Sequence, residues 1–205
     1  MDDLVVLVAD RDMEAAIRGA LNRPRALSIR GIQFTLYRHP RRDPGCRVDG
    51  AKFLRALAKQ FAHAIVMFDY EGSGTKLGVE ELEATVEGEL SKEGWASRGA
   101  AVVIEPELEA WIWSDSPWPA AILGWPGKEP ALRVWLEGRG FLSTGQLKPA
   151  RPKEALEAAL FELRRPRSSV IYGDLARAVS LDRCVDRAFL KFKKTLQAWF
   201  PLDNT

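Results

Sequence analysis

The sequence predicts an α/β protein with a mostly parallel sheet, flanked by helices and followed by a helical C-terminal lobe. Three short apolar runs, over residues 4–8, 64–68 and 101–104, are typical of strands buried on both faces of a parallel sheet. Segments with helical spacing separate these runs. Strands that alternate with helices indicate crossover connections, and such connections join parallel strands.

The first strand is expected to end at Asp10, and Asp12 is expected to cap a helix that continues to about residue 22. Alternating apolar residues then predict a strand over 32–37. Two prolines and a glycine predict that the following segment, residues 38–45, is a loop.

A helical face formed by Leu54, Leu57 and Phe61 is expected before the strand over 64–68. Helical spacing returns over residues 79–90, where five glutamates lie opposite the apolar positions. The strand over 101–104 completes the predicted sheet.

These elements predict an α/β domain over residues 1–115 and a helical lobe over 116–205 that packs on it. The second part has no clear strand pattern. Its helical segments are separated by Pro, Gly or capping residues, and they cover residues 128–138, 152–164, 168–180 and 182–200.

Composition excludes several classes of protein. The chain of 205 residues is 46% hydrophobic and 28% charged, which excludes wholesale disorder. No apolar run reaches the roughly 18–20 residues that span a bilayer, and the acidic start is unlike a signal peptide. The two cysteines form neither a disulfide framework nor a zinc pattern. We therefore expect a soluble, cytoplasmic protein with no membrane partner.

Carboxylates follow all three apolar strands, and the carboxyl ends of parallel strands meet at one edge of a sheet, where ligands bind. The acids proposed as catalytic residues share this placement; they are Asp10, Glu14, Asp69, Glu71 and Glu107. Each acid also has a structural interpretation. An aspartate at position 10 or 12 is typical of a helix cap, and Glu107 and Glu109 are typical of a first helical turn.

Clustered carboxylates raise one another's pKa and cost stability unless a cation neutralises them. Hard oxygen ligands favour Mg²⁺ or Mn²⁺, and a metal pair is the usual device for cleaving phosphodiesters. The candidate metal ligands are carboxylates at the strand ends; they are Asp10, Asp69, Glu71 and Glu105.

Basic residues near these strands are candidates for binding a phosphate substrate; they are Arg38, His39, Arg41, Arg42 and Lys76. His39 is also a candidate for moving a proton. The same residues are compatible with an exposed, solvated connection. Serine, cysteine or P-loop chemistry is not supported, because the nucleophile-elbow and Gly-x-x-x-x-Gly-Lys patterns are missing from the sequence.

The order of these segments resembles Toprim-like proteins encoded beside ATPases in bacterial defence loci. The resemblance rests on residues 8–10, 68–72 and 104–111, with weaker support from 152–153 and 172–174. More narrowly, residues 39–46 and 111–117 are similar to a small accessory component of methylation-associated phage-defence systems. The resemblance implies a Mg²⁺-dependent nuclease or nuclease-like subunit, with nucleic acid and a partner ATPase as the expected partners.

The sequence departs from the family at one point. Toprim sites have Glu followed by Gly after the first strand, and this chain has Ala9 and Asp10 there. Either Asp10 replaces that acid or Glu14 reaches the site from the helix. If neither does, the chain is a non-catalytic interaction subunit of a defence complex, which is the alternative hypothesis.

Overall fold

The computed structural model describes residues 1–113, 116–181 and 184–202. Four parallel strands form one sheet in the order β2–β1–β3–β4. The strands are β1 (Asp2–Val8), β2 (Phe34–Arg38), β3 (Phe61–Asp69) and β4 (Gly99–Ile104). Helices flank this sheet and make up the C-terminal region, so the predicted fold class is confirmed.

The helices of the first half of the chain are α1 (Arg11–Leu21), α2 (Pro24–Leu27), α3 (Arg42–Leu54) and α4 (Val79–Leu90). Those of the second half are α5 (Trp118–Leu123), α6 (Leu132–Gly138), α7 (Pro152–Glu162), α8 (Ser169–Ala178) and α9 (Arg187–Trp199). A short 3-10 turn, Leu108–Trp111, follows β4. Within the described residues, none of these helices combines the length and the apolar composition needed to cross a membrane.

The two central strands are apolar because helices cover both faces of the sheet. Residues 4–8 of β1 and 64–68 of β3 are completely buried. Val8 pairs with Met67, and Asp69 pairs with Ile104, so β1, β3 and β4 end close to one level. The residues that follow these strands therefore share the carboxyl edge of the sheet.

Helices from the C-terminal half pack directly on the α/β part. Helix α8 lies against α1, where a Cβ added at Gly19 would lie only 2.8 Å from the Cβ of Ala176. Helix α9 lies against β4 and buries the apolar side of its stripe, including Phe189, Phe192 and Leu196. The predicted domain boundary at residue 115 and the predicted helix start at residue 182 lie outside the described residues.

Three local predictions are wrong. Helix α3 begins at Arg42, inside the predicted loop, because a helix tolerates Pro44 and Gly45 in its first turn, where proline's missing N–H needs no partner. Phe61 belongs to β3 rather than to a helical face. Helix α1 is capped by Asp10, two residues before the predicted cap at Asp12.

Glutamate side chains accept hydrogen bonds from backbone N–H groups on the exposed edge of β4. The N–H groups of Ala101 and Val103 donate to Glu87 and Glu83 at 3.0 Å and 2.9 Å. Arg187 in α9 donates to both oxygens of Glu83 and to the carbonyl of Val103. This cluster occupies the hydrogen-bonding groups that an edge strand otherwise presents to other chains, and it fixes α9 to the sheet.

Candidate functional site

A cleft of about 600 Å³ opens at the carboxyl edge of the sheet. Its seven carboxylates belong to Asp10, Asp12, Asp43, Asp69, Glu71, Glu107 and Glu109. Its four cations belong to Arg11, Arg42, Lys153 and Arg167. With every group ionised, the described lining carries a formal charge of −3. Four of the predicted acids, Asp10, Asp69, Glu71 and Glu107, therefore converge on one cavity from three separate strand ends.

Asp69 is the central carboxylate of this cleft. Its Oδ1 accepts the N–H of Leu108 at 2.9 Å, and its own N–H donates to Oδ1 of Asp43 at 2.9 Å. Burial raises the pKa of Asp69 well above its ordinary value, and the nearby charges of Asp43 and Glu109 raise it further. Burial also raises the pKa of Asp43. At these two aspartates the ionised form is therefore costly unless a cation or a proton compensates it.

Glu107 lies where the chain from β4 meets the start of α7. Its Oε1 accepts the N–H of Lys153 at 3.1 Å, and its Oε2 lies 3.8 Å from the Nζ of Lys153. Burial, followed by repulsion from Glu109, raises the pKa of Glu107 to about 7. The N-terminal residue before α7 provides no side-chain cap, and Glu107 accepts a backbone N–H from the first turn of this helix instead.

Arg167 neutralises a second group of cleft acids. Its Nη2 donates to Oε1 of Glu109 at 2.7 Å and to Oδ2 of Asp12 at 2.9 Å. The hydroxyl of Tyr172 donates to the same Glu109 oxygen at 2.6 Å, and burial raises the pKa of Tyr172. Arg167 also pairs with Glu157 on α7. This cluster connects the C-terminal helices to the floor of the cleft.

Four other acids of the cleft form no ion pair within the described part of the chain; they are Asp10, Asp43, Asp69 and Glu71. Asp10 also acts as the cap of α1, because its Oδ1 accepts the N–H groups of Asp12 and Met13 at 3.0 Å. The structural interpretation of Asp10 as a helix cap is therefore confirmed, and the same residue also lines the cleft.

Several predicted site residues lie elsewhere. Glu14 pairs with Arg38 at 3.1 Å and with Arg18 at 2.9 Å, so its carboxylate is directed to arginines on the surface. Arg41 pairs with Asp49. Glu14, Arg38 and Arg41 therefore form ion pairs within the protein instead of lining the cleft as predicted.

His39 has a structural environment. It is buried, its Nδ1 accepts the N–H of Arg41 at 3.1 Å, and its ring packs on Phe53. Burial lowers the pKa of His39, which favours the neutral ring. Lys76 and Glu105 are exposed, and neither is among the described residues that line the cleft. Of the predicted phosphate-binding residues, the cleft therefore contains Arg42.

Other members of the cleft are not predicted from the sequence. The sequence places Asp43 in a loop and Glu109 in a first helical turn. Arg11 is the first residue of α1 and Lys153 the second residue of α7, and the predicted starts of these helices are a signal that the sequence does contain. Arg167 lies 58 residues from Glu109, and no local pattern connects the two.

The donor chemistry of the cleft fits a hard divalent cation, since carboxylate oxygens are the ligands that Mg²⁺ and Mn²⁺ prefer. Within the described ranges, no three His, Cys, Asp or Glu side chains are grouped as a metal site. As they stand in the described residues, these carboxylates are therefore not arranged as a ready-made metal site.

The fold and the cleft define the class of this protein, an α/β protein with an acidic cleft at the carboxyl edge of a four-stranded parallel sheet. Comparison of the chain with protein-family models, with curated proteins and with solved structures gives no match.

Removal of the Tyr172 hydroxyl tests the cluster on the floor of the cleft. Tyr172→Phe leaves the buried Glu109 carboxylate with one hydrogen bond fewer, so we expect a loss of about 1–3 kcal/mol in unfolding free energy. Chemical denaturation measures it. Tyr37→Phe, which removes a hydroxyl from a partly exposed ring, is the control and should leave stability unchanged. Equal effects of the two substitutions would contradict the assigned cluster.

Proposed function

We propose that this protein is a Mg²⁺- or Mn²⁺-dependent, Toprim-like nuclease or nuclease subunit that acts on phosphodiesters in bacterial antiviral defence. One observation supports the chemistry above all. Asp69 lies among other cleft carboxylates at the carboxyl edge of the sheet, and it forms no ion pair with any described residue. A divalent cation is the partner that best relieves this accumulation of charge.

The residues that would hold the cation are Asp10, Asp69 and Glu71, with Glu107 beside them. Glu105 is removed from this set because it is exposed and lies outside the described lining of the cleft. A bound divalent cation supplies an activated water and neutralises charge on the phosphoryl oxygens.

The chain's own groups have separate roles in this proposal. The N–H of Leu108 and the position of Asp43 orient Asp69. Glu107 is the candidate that accepts a proton from the attacking water, and the ammonium of Lys153 lies beside it to balance the charge. Arg167 keeps Asp12 and Glu109 paired, so these two acids shape the cleft. Asp10, Asp69 and Glu71 then remain for the cation.

The biological setting is proposed from the sequence resemblance. The segments that resemble Toprim-like defence proteins include Asp69, Glu71 and Glu107, which also line the cleft. A defence nuclease acts in the cytoplasm, together with nucleic acid and a partner ATPase, and these remain the expected location and partners.

Cleavage assays test this function. Single- and double-stranded DNA and RNA are incubated with the protein in Mg²⁺, in Mn²⁺ and in EDTA. We expect metal-dependent cleavage that the double variant Asp69→Ala, Glu71→Ala abolishes. Glu105→Gln is the matched control, because it removes a neighbouring charge outside the described cleft lining, and it should cleave like the wild type. No cleavage of any substrate, or equal loss in the control, would count against the proposal.

Metal binding is measured separately by thermal unfolding. A cation that binds only the folded protein stabilises it by about 2.7 kcal/mol at a concentration 100-fold above its dissociation constant. We therefore expect Mn²⁺ to raise the unfolding midpoint of the wild type and to leave that of the double variant unchanged. A metal-induced shift of equal size in both proteins would place the binding outside these two residues.

The geometry of Asp10 favours a second candidate function, a non-catalytic subunit that docks a partner ATPase or nucleic acid. One oxygen of Asp10 already accepts two backbone N–H groups, and Ala9 precedes it where the family has the catalytic Glu. Co-expression with the neighbouring genes separates the two functions. Defence activity that survives the Asp69→Ala, Glu71→Ala double substitution would favour docking over catalysis.

A further inference from the structure

The four cations of the cleft fall into two classes. Arg167 pairs with Asp12, Glu109 and Glu157, and Lys153 lies beside Glu107. The other two are Arg11 and Arg42, which form no ion pair with the described residues although they line a cavity with seven carboxylates. Both side chains are exposed. Their guanidinium groups are thus available to an anion from outside the protein.

Chain connectivity places Arg11 next to a proposed cation-binding acid and Arg42 next to the aspartate that contacts another one. Arg11 is the first residue of α1 and directly follows Asp10. Arg42 is the first residue of α3 and directly precedes Asp43, whose Oδ1 receives the N–H of Asp69. Arg42 has a φ of 50°, which a residue with a side chain adopts at a cost of about 1–3 kcal/mol. The fold therefore maintains a strained backbone at a residue of the cleft.

A phosphodiester needs such groups in order to enter this cleft. The described lining has a formal charge of −3, which repels an anionic chain until cations compensate it. Arginine is the suitable residue, because its planar fork donates two parallel hydrogen bonds to a phosphate.

We propose that Arg11 and Arg42 form a phosphate clamp, which holds the sugar-phosphate backbone of a DNA or RNA strand at the cleft. The clamp rests on the proposed function and adds the two residues that position the substrate. Arg38, Arg41 and Lys76 have no part in it, since the first two pair with Glu14 and Asp49 and the third lies outside the described cleft lining.

Fluorescence anisotropy tests the clamp without requiring cleavage. Fluorescein-labelled single-stranded DNA and RNA oligonucleotides are titrated with the full chain in Ca²⁺ and in EDTA, over a range of salt concentrations. We expect Arg11→Gln and Arg42→Gln each to weaken binding roughly tenfold, as the loss of a charge-assisted hydrogen bond implies. Each should also lower the salt dependence by about 0.7 in slope, the value for one contact to a single strand.

The matched control is Arg25→Gln, which removes an exposed arginine from α2, outside the described cleft lining. It makes the same change in net charge, so we expect its affinity to stay close to that of the wild type. Arg11→Lys should restore part of the affinity. Circular dichroism melting verifies that each variant is folded.

The outcomes separate the clamp from the nuclease. Arginine-dependent binding without metal-dependent cleavage supports the clamp and removes the nuclease proposal. Cleavage with unchanged affinity in both glutamine variants overturns the clamp and leaves the nuclease. Equal losses in Arg25→Gln and the clamp variants, or no binding of either oligonucleotide by the wild type, also overturn the clamp.

Discussion

Asp69→Asn is expected to make the protein more stable and catalytically inactive. The substitution removes a charge from the most crowded carboxylate of the cleft and keeps an oxygen that can accept the N–H of Leu108. We expect a gain of about 1 kcal/mol, which raises the unfolding midpoint by about 2–4 °C in a chain of this size. Cleavage should fall by roughly 100-fold or more, since even residues that only support metal ligands contribute 10–100-fold.

Calorimetry without divalent cations measures the stability, and a cleavage assay in Mn²⁺ measures the activity. Asp2→Asn, at the exposed start of β1 and thus at the opposite edge of the sheet, is the control and should change neither quantity. A variant at Asp69 that is both less stable and fully active would show that this carboxylate serves the fold rather than a cation.

Glu83→Ala is expected to cause the largest loss of stability. The Glu83 carboxylate is buried, and it accepts the N–H of Val103 and both ends of the Arg187 guanidinium. Truncation leaves these donors without their acceptor. We expect a loss of about 3 kcal/mol, at the low end for a broken buried pair because Arg187 is partly exposed and can rehydrate.

The control for this variant is Glu80→Ala on the same helix. Glu80 lies 3.9 Å from the same arginine but is largely exposed, so its removal should cost less than about 0.5 kcal/mol. Urea denaturation compares the two variants. Similar midpoints would contradict the view that Glu83 fastens α9 to the edge of the sheet.

The same pair predicts a dependence on pH. Burial raises the pKa of Glu83, but the hydrogen bonds from Arg187 and Val103 and the charge of Lys191 outweigh it, so the net pKa is below its ordinary value. A carboxyl whose pKa is lower in the folded state stabilises the protein above the pKa of the unfolded chain. This stability should be lost as the pH falls below about 4, and Glu83→Ala should reduce that loss.

The sheet could be predicted because its strands are continuous apolar runs. Residues 4–8 and 64–68 are completely buried, and burial on both faces leaves no polar position to obscure the pattern. The start of α3 could not be predicted in the same way. Pro44 and Gly45 are typical of loops, and only their position in the first turn makes them compatible with a helix.

The candidate site was partly predictable for a related reason. Asp10, Asp69 and Glu71 follow strands, and the ends of parallel strands lie at one edge, so sequence position alone brings them together. Arg167 precedes α8 and meets Glu109 through a tertiary contact between segments 58 residues apart. Position after a strand also wrongly predicts Glu105 as a metal ligand in the cleft. Glu105 is exposed, and its charge acts on Arg187 instead.

The most direct test of the central claim is an anomalous difference map from crystals of the protein soaked in Mn²⁺. We predict a peak inside the cleft, about 2 Å from carboxylate oxygens of Asp69 and of Asp10 or Glu71, as expected for a small divalent cation. The same soak of Asp69→Asn crystals should give no peak there. A wild-type map without a peak in the cleft, or a peak that the substitution leaves unchanged, would contradict the claim that these carboxylates bind a divalent cation.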